Sequence, residues 1–172
     1  NNIINQGTIS SSGNLSMTAG GSITNQATIT AAQNVALMSA VGAVNNSGLI
    51  AATTGNISIA SQTAQALAIN NIGGTLQALQ LAAKPNLSVT GGDLIARELN
   101  FTSPEGVVNV GSETIEGRLN VSAGEAHITA STPNLILGEM NLTGDPTYWN
   151  AGGDVTISAP LVLGFVNLSI IA

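Results

Sequence analysis

The sequence predicts an all-β solenoid, a parallel β-helix with turns of about 20 residues. Three observations carry that expectation. The phrases Ile3-Ile4-Asn5-Gln6-Gly7-Thr8-Ile9, Ile23-Thr24-Asn25-Gln26-Ala27-Thr28-Ile29 and Val44-Asn45-Asn46-Ser47-Gly48-Leu49-Ile50 are near-copies of one another. Each is followed by a second shared phrase: Gly13-Asn14-Leu15-Ser16-Met17, Gln33-Asn34-Val35-Ala36-Leu37 and Gly55-Asn56-Ile57-Ser58-Ile59. Within these phrases apolar residues alternate with small polar ones, the period of a half-buried strand.

A turn of this length holds two or three short strands joined by tight bends and cannot bury its own apolar side chains. It needs a turn above and a turn below. Stacking at roughly 4.8 Å lines up Ile9, Ile29 and Ile50 as one inward column and Leu15, Val35 and Ile57 as another. Asn5, Asn25 and Asn46 then fall at one corner, and Asn14, Asn34 and Asn56 at a second. Stacked amides there can bond to one another and to the backbone of the bends. Residues 65–81 read as a fourth, degenerate copy, with Gly73-Gly74 arguing against a helix, and Pro85 interrupts the pattern. Short alternating segments follow at 87–89, 94–96, 99–101, 107–110, 119–121, 126–128, 135–137, 155–157, 161–163 and 166–170, most of them separated by Gly, Asn, Pro or Ser.

The chain of 172 residues is read as one β-helix domain over 1–172, and it divides by charge. Residues 1–83 contain no Asp, Glu, Lys or Arg; residues 84–172 hold them all and have less regular turns with longer loops. Identical charges stacked one turn apart would repel, which accounts for a charge-free repeat. Charged residues make up 7% of the chain, against roughly 25% in an ordinary soluble domain. Abundant aliphatic residues argue against disorder. The longest apolar stretch, 160–172, is broken by Gly164, Asn167 and Ser169 and is too short to span a bilayer as a helix. A net charge of −6 with three basic residues excludes a phosphate-binding surface, hence nucleic acid, and disfavours acidic membranes. The absence of cysteine excludes disulfides and thiolate metal sites.

The repeated phrases, at 3–19, 23–40 and 44–60, resemble the repeats of filamentous haemagglutinin-type exoproteins, the adhesins of bacterial two-partner secretion. The shared pattern is an apolar residue, Asn, a small residue and Ile, then Gly/Gln-Asn-Leu-x-Leu and Ala. The resemblance implies a right-handed parallel β-helix, export across an outer membrane, and a role in adhesion or surface structure. The Asn-Pro-Asn motif of the family's secretion domain is not matched: Lys84 and Thr132 precede Pro85-Asn86-Leu87 and Pro133-Asn134-Leu135. No secretion-signal or ligand-binding role transfers. The chain opens inside a repeat phrase and is expected to be a piece of a larger exoprotein.

Few side chains suggest chemistry. Glu113 and Glu116, beside Arg118, have a spacing compatible with the paired carboxylates of glycoside hydrolysis, but carboxylates at solvated bends explain them more simply. His127 is an outward residue without a spaced partner, and Ser112 lacks a nucleophile-elbow context. Gly91-Gly92-Asp93 and Gly152-Gly153-Asp154 match half of a calcium β-roll repeat and read as bends feeding a strand. No cofactor is expected. The segment 145–153 is one conspicuous excursion, a possible contact loop that holds the only Tyr and Trp, Tyr148 and Trp149. As neighbours in an extended chain they point to opposite sides.

The expected function is a non-enzymatic structural or adhesive module on the outer surface of a Gram-negative-type bacterium, or secreted from it. The alternative is a carbohydrate-active β-helix enzyme. Expected partners are flanking coils, another copy joined end to end through exposed strand edges, or host or surface glycans.

Overall fold

The computed structural model describes residues 1–63, 66–84, 87–164 and 167–172, without the side chains of residues 82–84. The fourth copy's start at Gln65, and Pro85, Asn86 and Val166, lie outside the described residues. Among the described residues there is no helix, and the strands pair in parallel as a β-solenoid of about eight turns.

Three strand faces wind through each regular turn. The first turn comprises Ile3–Asn5, Thr8–Ser11 and Leu15–Ala19, the second Ile23–Asn25, Thr28–Ala31 and Val35–Ser39, and the third Ala43–Asn46, Leu49–Ala52 and Asn56–Ser61. Their register is the one the repeats require: Ile9 sits on Ile29 and Ile29 on Ile50, while Leu15 sits on Val35 and Val35 on Ile57. Ile29, Ile50, Val35 and Ile57 are fully buried; Ile9 and Leu15, in the first turn, pack partly buried against them.

The first face gives the longest column. Ile3, Ile23, Val44, Ile69, Val89, Val110, Ile128, Tyr148 and Ile170 succeed one another turn by turn. This row forms one wall of a continuous aliphatic core, with Leu76, Leu94 and Ile115 extending the second face and Leu81, Leu99, Leu119 and Leu137 the third. β-branched residues dominate the first-face row because two substituents on Cβ fill the space between turns without costing much rotamer freedom.

The later turns differ from the separate short strands expected of them. Corners between the second and third faces shrink from three residues, as in Ser12-Gly13-Asn14, to single residues, Leu79, Arg97 and Gly117, so strands run continuously around the bend. Thr75–Lys84, Asp93–Gly111 and Thr114–Ala130 therefore each cover two or three faces. Gly117 makes its one-residue corner at φ +114°, where a Cβ would lie 1.6 Å from the Ala96 carbonyl oxygen; only glycine fits both the angle and the space. Within segment 145–153, the residues Thr147–Asn150 form a strand of the first face, paired with residues 127–130 below and Ser169–Ile171 above.

Replacing Ile29 by Asp places a carboxylate in the dry column between Ile9 and Ile50, where no partner can satisfy it. The expected outcome is loss of β-sheet circular dichroism; a variant that keeps the native spectrum contradicts the column.

Candidate functional site

The most highly organised side chains are polar and lie at the corner between the first and second faces. An apolar-x-Asn phrase turns its apolar residue inward and, two residues on, its Asn inward as well. Asn5 donates to Asn25, Asn25 to Asn46 and Asn46 to Asn71, each Nδ2 lying 2.7 Å from the next Oδ1. The same amides bond to the backbone. Asn25 Nδ2 reaches the carbonyls of Ala27 and Leu49 at 3.1 Å, and its Oδ1 accepts from the Ala27 N–H at 3.4 Å. All four residues are buried, and no buried side-chain polar atom lacks a partner among the described residues.

The ladder changes composition higher up. Gly92 occupies the next turn's corner, so Asn71 donates to the carbonyls of Gly74 and Asp93 at 3.0 and 3.2 Å. Ser112 belongs to this corner: its hydroxyl donates to the Gly92 carbonyl at 2.6 Å and is buried. Asn150 restores the amide. Its Nδ2 donates to the carbonyls of Thr132 and Asp154 at 2.9 and 2.7 Å, and its Oδ1 accepts from the Thr132 N–H at 3.0 Å.

The second predicted row is of a different kind. Asn14, Asn34 and Asn56 are exposed; Asn34 donates through Nδ2 to Asn14 Oδ1 at 2.9 Å, and the Asn56 N–H donates to Asn34 Oδ1 at 2.9 Å. Its register continues outward through Gln80, Glu98 and Arg118. Sequence reasoning missed two members of the corner ladder, Asn71 and Asn150, and a separate outer pair, Asn120–Asn100, whose amides bond at 2.8 Å. The phrases Ile69-Asn70-Asn71 and Tyr148-Trp149-Asn150 carry the signal, an apolar residue two before an Asn.

That phrase also orients the aromatics. Tyr148 occupies the inner column between Ile128 and Ile170, fully buried, with its hydroxyl 3.4 Å from Met140 Sδ. Burial pushes its phenol well above the ordinary value of 10.0. Trp149 points outward, 50% exposed, between Thr129 and Ile171.

The charged residues lie on several faces of the described turns. Glu113 sits at a corner and Glu116 three residues along, both exposed, about 10 Å apart along an extended strand. Arg118 lies beyond the Gly117 corner on another face. His127 pairs with Glu125 at 3.0 Å, both about two-fifths exposed. Asp145 is held below its ordinary value by the Asn167 backbone N–H and then by that residue's side-chain amide, a clasp between two bends. Gly91 and Gly92 form a bend at φ +73° and +68° ahead of the strand that starts at Asp93. Among the described residues no cluster of three His, Asp or Glu could hold a metal ion.

With the stacked Asn-bearing turns in view, comparison with known families decides the affiliation: the haemagglutinin repeat model matches residues 1–131. The chain belongs to the haemagglutinin repeat family. No curated protein and no solved structure matches it. The matched stretch extends past the three copies evident by eye, through the long strands 93–111 and 114–130, so these irregular turns are haemagglutinin repeats too.

Two predictions follow from the ladder and the inner tyrosine. Asn25→Ala deprives Asn5 Nδ2 and Asn46 Oδ1 of a buried partner and is expected to cost about 2–4 kcal/mol in chemical denaturation, against under about 1 kcal/mol for the exposed Asn14→Ala. Equal losses would refute the distinction. Tyr148 ionises in the unfolded chain near its ordinary value of 10.0 but at higher pH in the fold, so its contribution is complete below that pH and declines as pH rises above it. Denaturation midpoints should fall more steeply above pH 10.0 for the native chain than for Tyr148→Phe.

Proposed function

We propose that this haemagglutinin repeat is a non-enzymatic structural and adhesive module, a stiff β-solenoid segment of an exoprotein carried on the outer surface of a Gram-negative-type bacterium or secreted from it. The observation that supports this reading most is the unbroken column from Ile3 to Ile170. Backbone ladders on every face and a core shared by all turns give a rod that resists bending, since each turn is held by its neighbours over its whole perimeter. Eight turns at about 4.8 Å per turn make a rod about 38 Å long.

End-to-end association is part of the same proposal. Ile3, Ile9 and Leu15 in the first turn are only partly covered, and Ile157 and Ile170, which cap the inward rows of Leu137 and Tyr148, are exposed. Another turn stacked on either end would complete these columns, and in the isolated chain a second copy supplies it by parallel strand addition. Head-to-tail contacts of this kind do not close and produce filaments.

Negative-stain microscopy at rising protein concentration tests both statements. Rods that lengthen with concentration are expected; short rods at every concentration would leave the rod and remove the assembly. A polysaccharide panel tests the enzymatic alternative. No product is expected, whereas cleavage abolished by Glu113→Gln or Glu116→Gln would overturn the non-enzymatic reading.

A further inference from the structure

On the outside of the third face, turns five to seven carry a small depression of about 310 Å³, lined by Asn100, Thr102, Asn120, Ser122, Glu139 and Asn141, with Phe101 and Val121 buried between them. Its origin is a bulge. Leu119 pairs with Leu137 and Val121 with Met140, so Gly138 and Glu139 together occupy the place opposite Asn120 alone. An extra residue in one strand bends it and redirects a side chain. Here it raises Glu139 beside an otherwise flat polar sheet.

Gly138 is required for that arrangement. A Cβ there would lie 2.0 Å from Asn120 Oδ1 and 2.5 Å from the Arg118 Cγ. Glycine leaves room for the Asn120 amide, which is then locked at both ends: Oδ1 accepts from the Glu139 N–H at 2.9 Å and Nδ2 donates to Asn100 Oδ1 at 2.8 Å. Asn100 is oriented in turn. Its Nδ2, the Asn141 amide, the hydroxyls of Thr102 and Ser122 and the Glu139 carboxylate make no hydrogen bond among the described residues.

We infer that this depression is a binding site for a neutral saccharide. Outward residues form a grid of about 4.8 Å between turns and about 7 Å along a strand, commensurate with a pyranose ring and its hydroxyls. The free groups are amides, hydroxyls and one carboxylate, which together donate to and accept from sugar hydroxyls. The lining holds no basic side chain, so it does not suit sulfated or phosphorylated ligands. Its polar rim does not suit an apolar one. Fixing the Asn120–Asn100 pair in advance lowers the ordering cost of binding. Without an aromatic stacking platform the affinity is millimolar. Such a site rests on the adhesive part of the proposed function and is independent of end-to-end assembly, because the depression lies on the side of the rod.

The test is titration of the isotopically labelled chain with a panel of neutral disaccharides (maltose, cellobiose, lactose and sucrose), followed by amide NMR. Saturable shifts are expected at the Asn100, Asn120 and Asn141 side-chain amides and the Glu139 N–H for at least one sugar. Asn141→Ala and Ser122→Ala, both exposed enough to keep the native circular dichroism, should each weaken binding about threefold to tenfold. Three results overturn the inference: no saturable shift with any sugar, tighter binding of a sulfated disaccharide, or quenching of the single Trp149, which lies on the first face and would place the ligand elsewhere.

Discussion

Every feature of this protein depends on equivalent residues of successive turns lying in register. No turn has a hydrophobic core of its own. Ile29 is buried because Ile9 and Ile50 lie below and above it, and the same holds along the other rows. The cost of a mistake is correspondingly high, since slipping a strand by one residue turns its apolar side outward. The Asn ladder acts against such slips. Asn25 bonds to Asn5 and Asn46 as well as to three backbone groups, so any shift strands several buried polar atoms at once.

The distribution of charge follows from the same constraint. Where charged residues enter the register, each faces a neutral neighbour or an opposite charge: Asp93 lies between Thr75 and Thr114, Glu125 beside Val107, Asp154 beside Asn134, and Glu98 between Gln80 and Arg118. No like-charged pair occurs among the described register partners. Parallel stacking at under 5 Å makes such pairs repulsive, which explains why carboxylates are spread across faces and not gathered into a site.

Variation on the scaffold is bought with glycine. Gly117 lets a corner shrink to one residue, and Gly138 lets a bulge form without displacing Arg118 or Asn120. Both lie in turns without the regular repeat phrase, within or beside the stretch where the haemagglutinin repeat model still matches or has just ended. Irregularity here is local. The columns pass through it unbroken, as Leu99, Leu119 and Leu137 show on the third face.

The amino-acid sequence alone determined the period of the turns, the inward rows through Ile29 and Val35, and the corner occupied by Asn5, Asn25 and Asn46, because near-identical phrases mark each of these positions three times over. Tertiary structure decided what no local phrase encodes. It fused the strands of residues 93–111 and 114–130 around single-residue corners, placed the strand Thr147–Asn150 within the 145–153 excursion with Tyr148 inside and Trp149 outside, and opened the bulge at Gly138-Glu139. Alternation tells that neighbours face opposite sides but not which side is in. That choice is made between residues 18 to 26 positions apart, as with Leu119 under Leu137 and Ile50 under Leu76, where the turn below dictates which residue the turn above must bury.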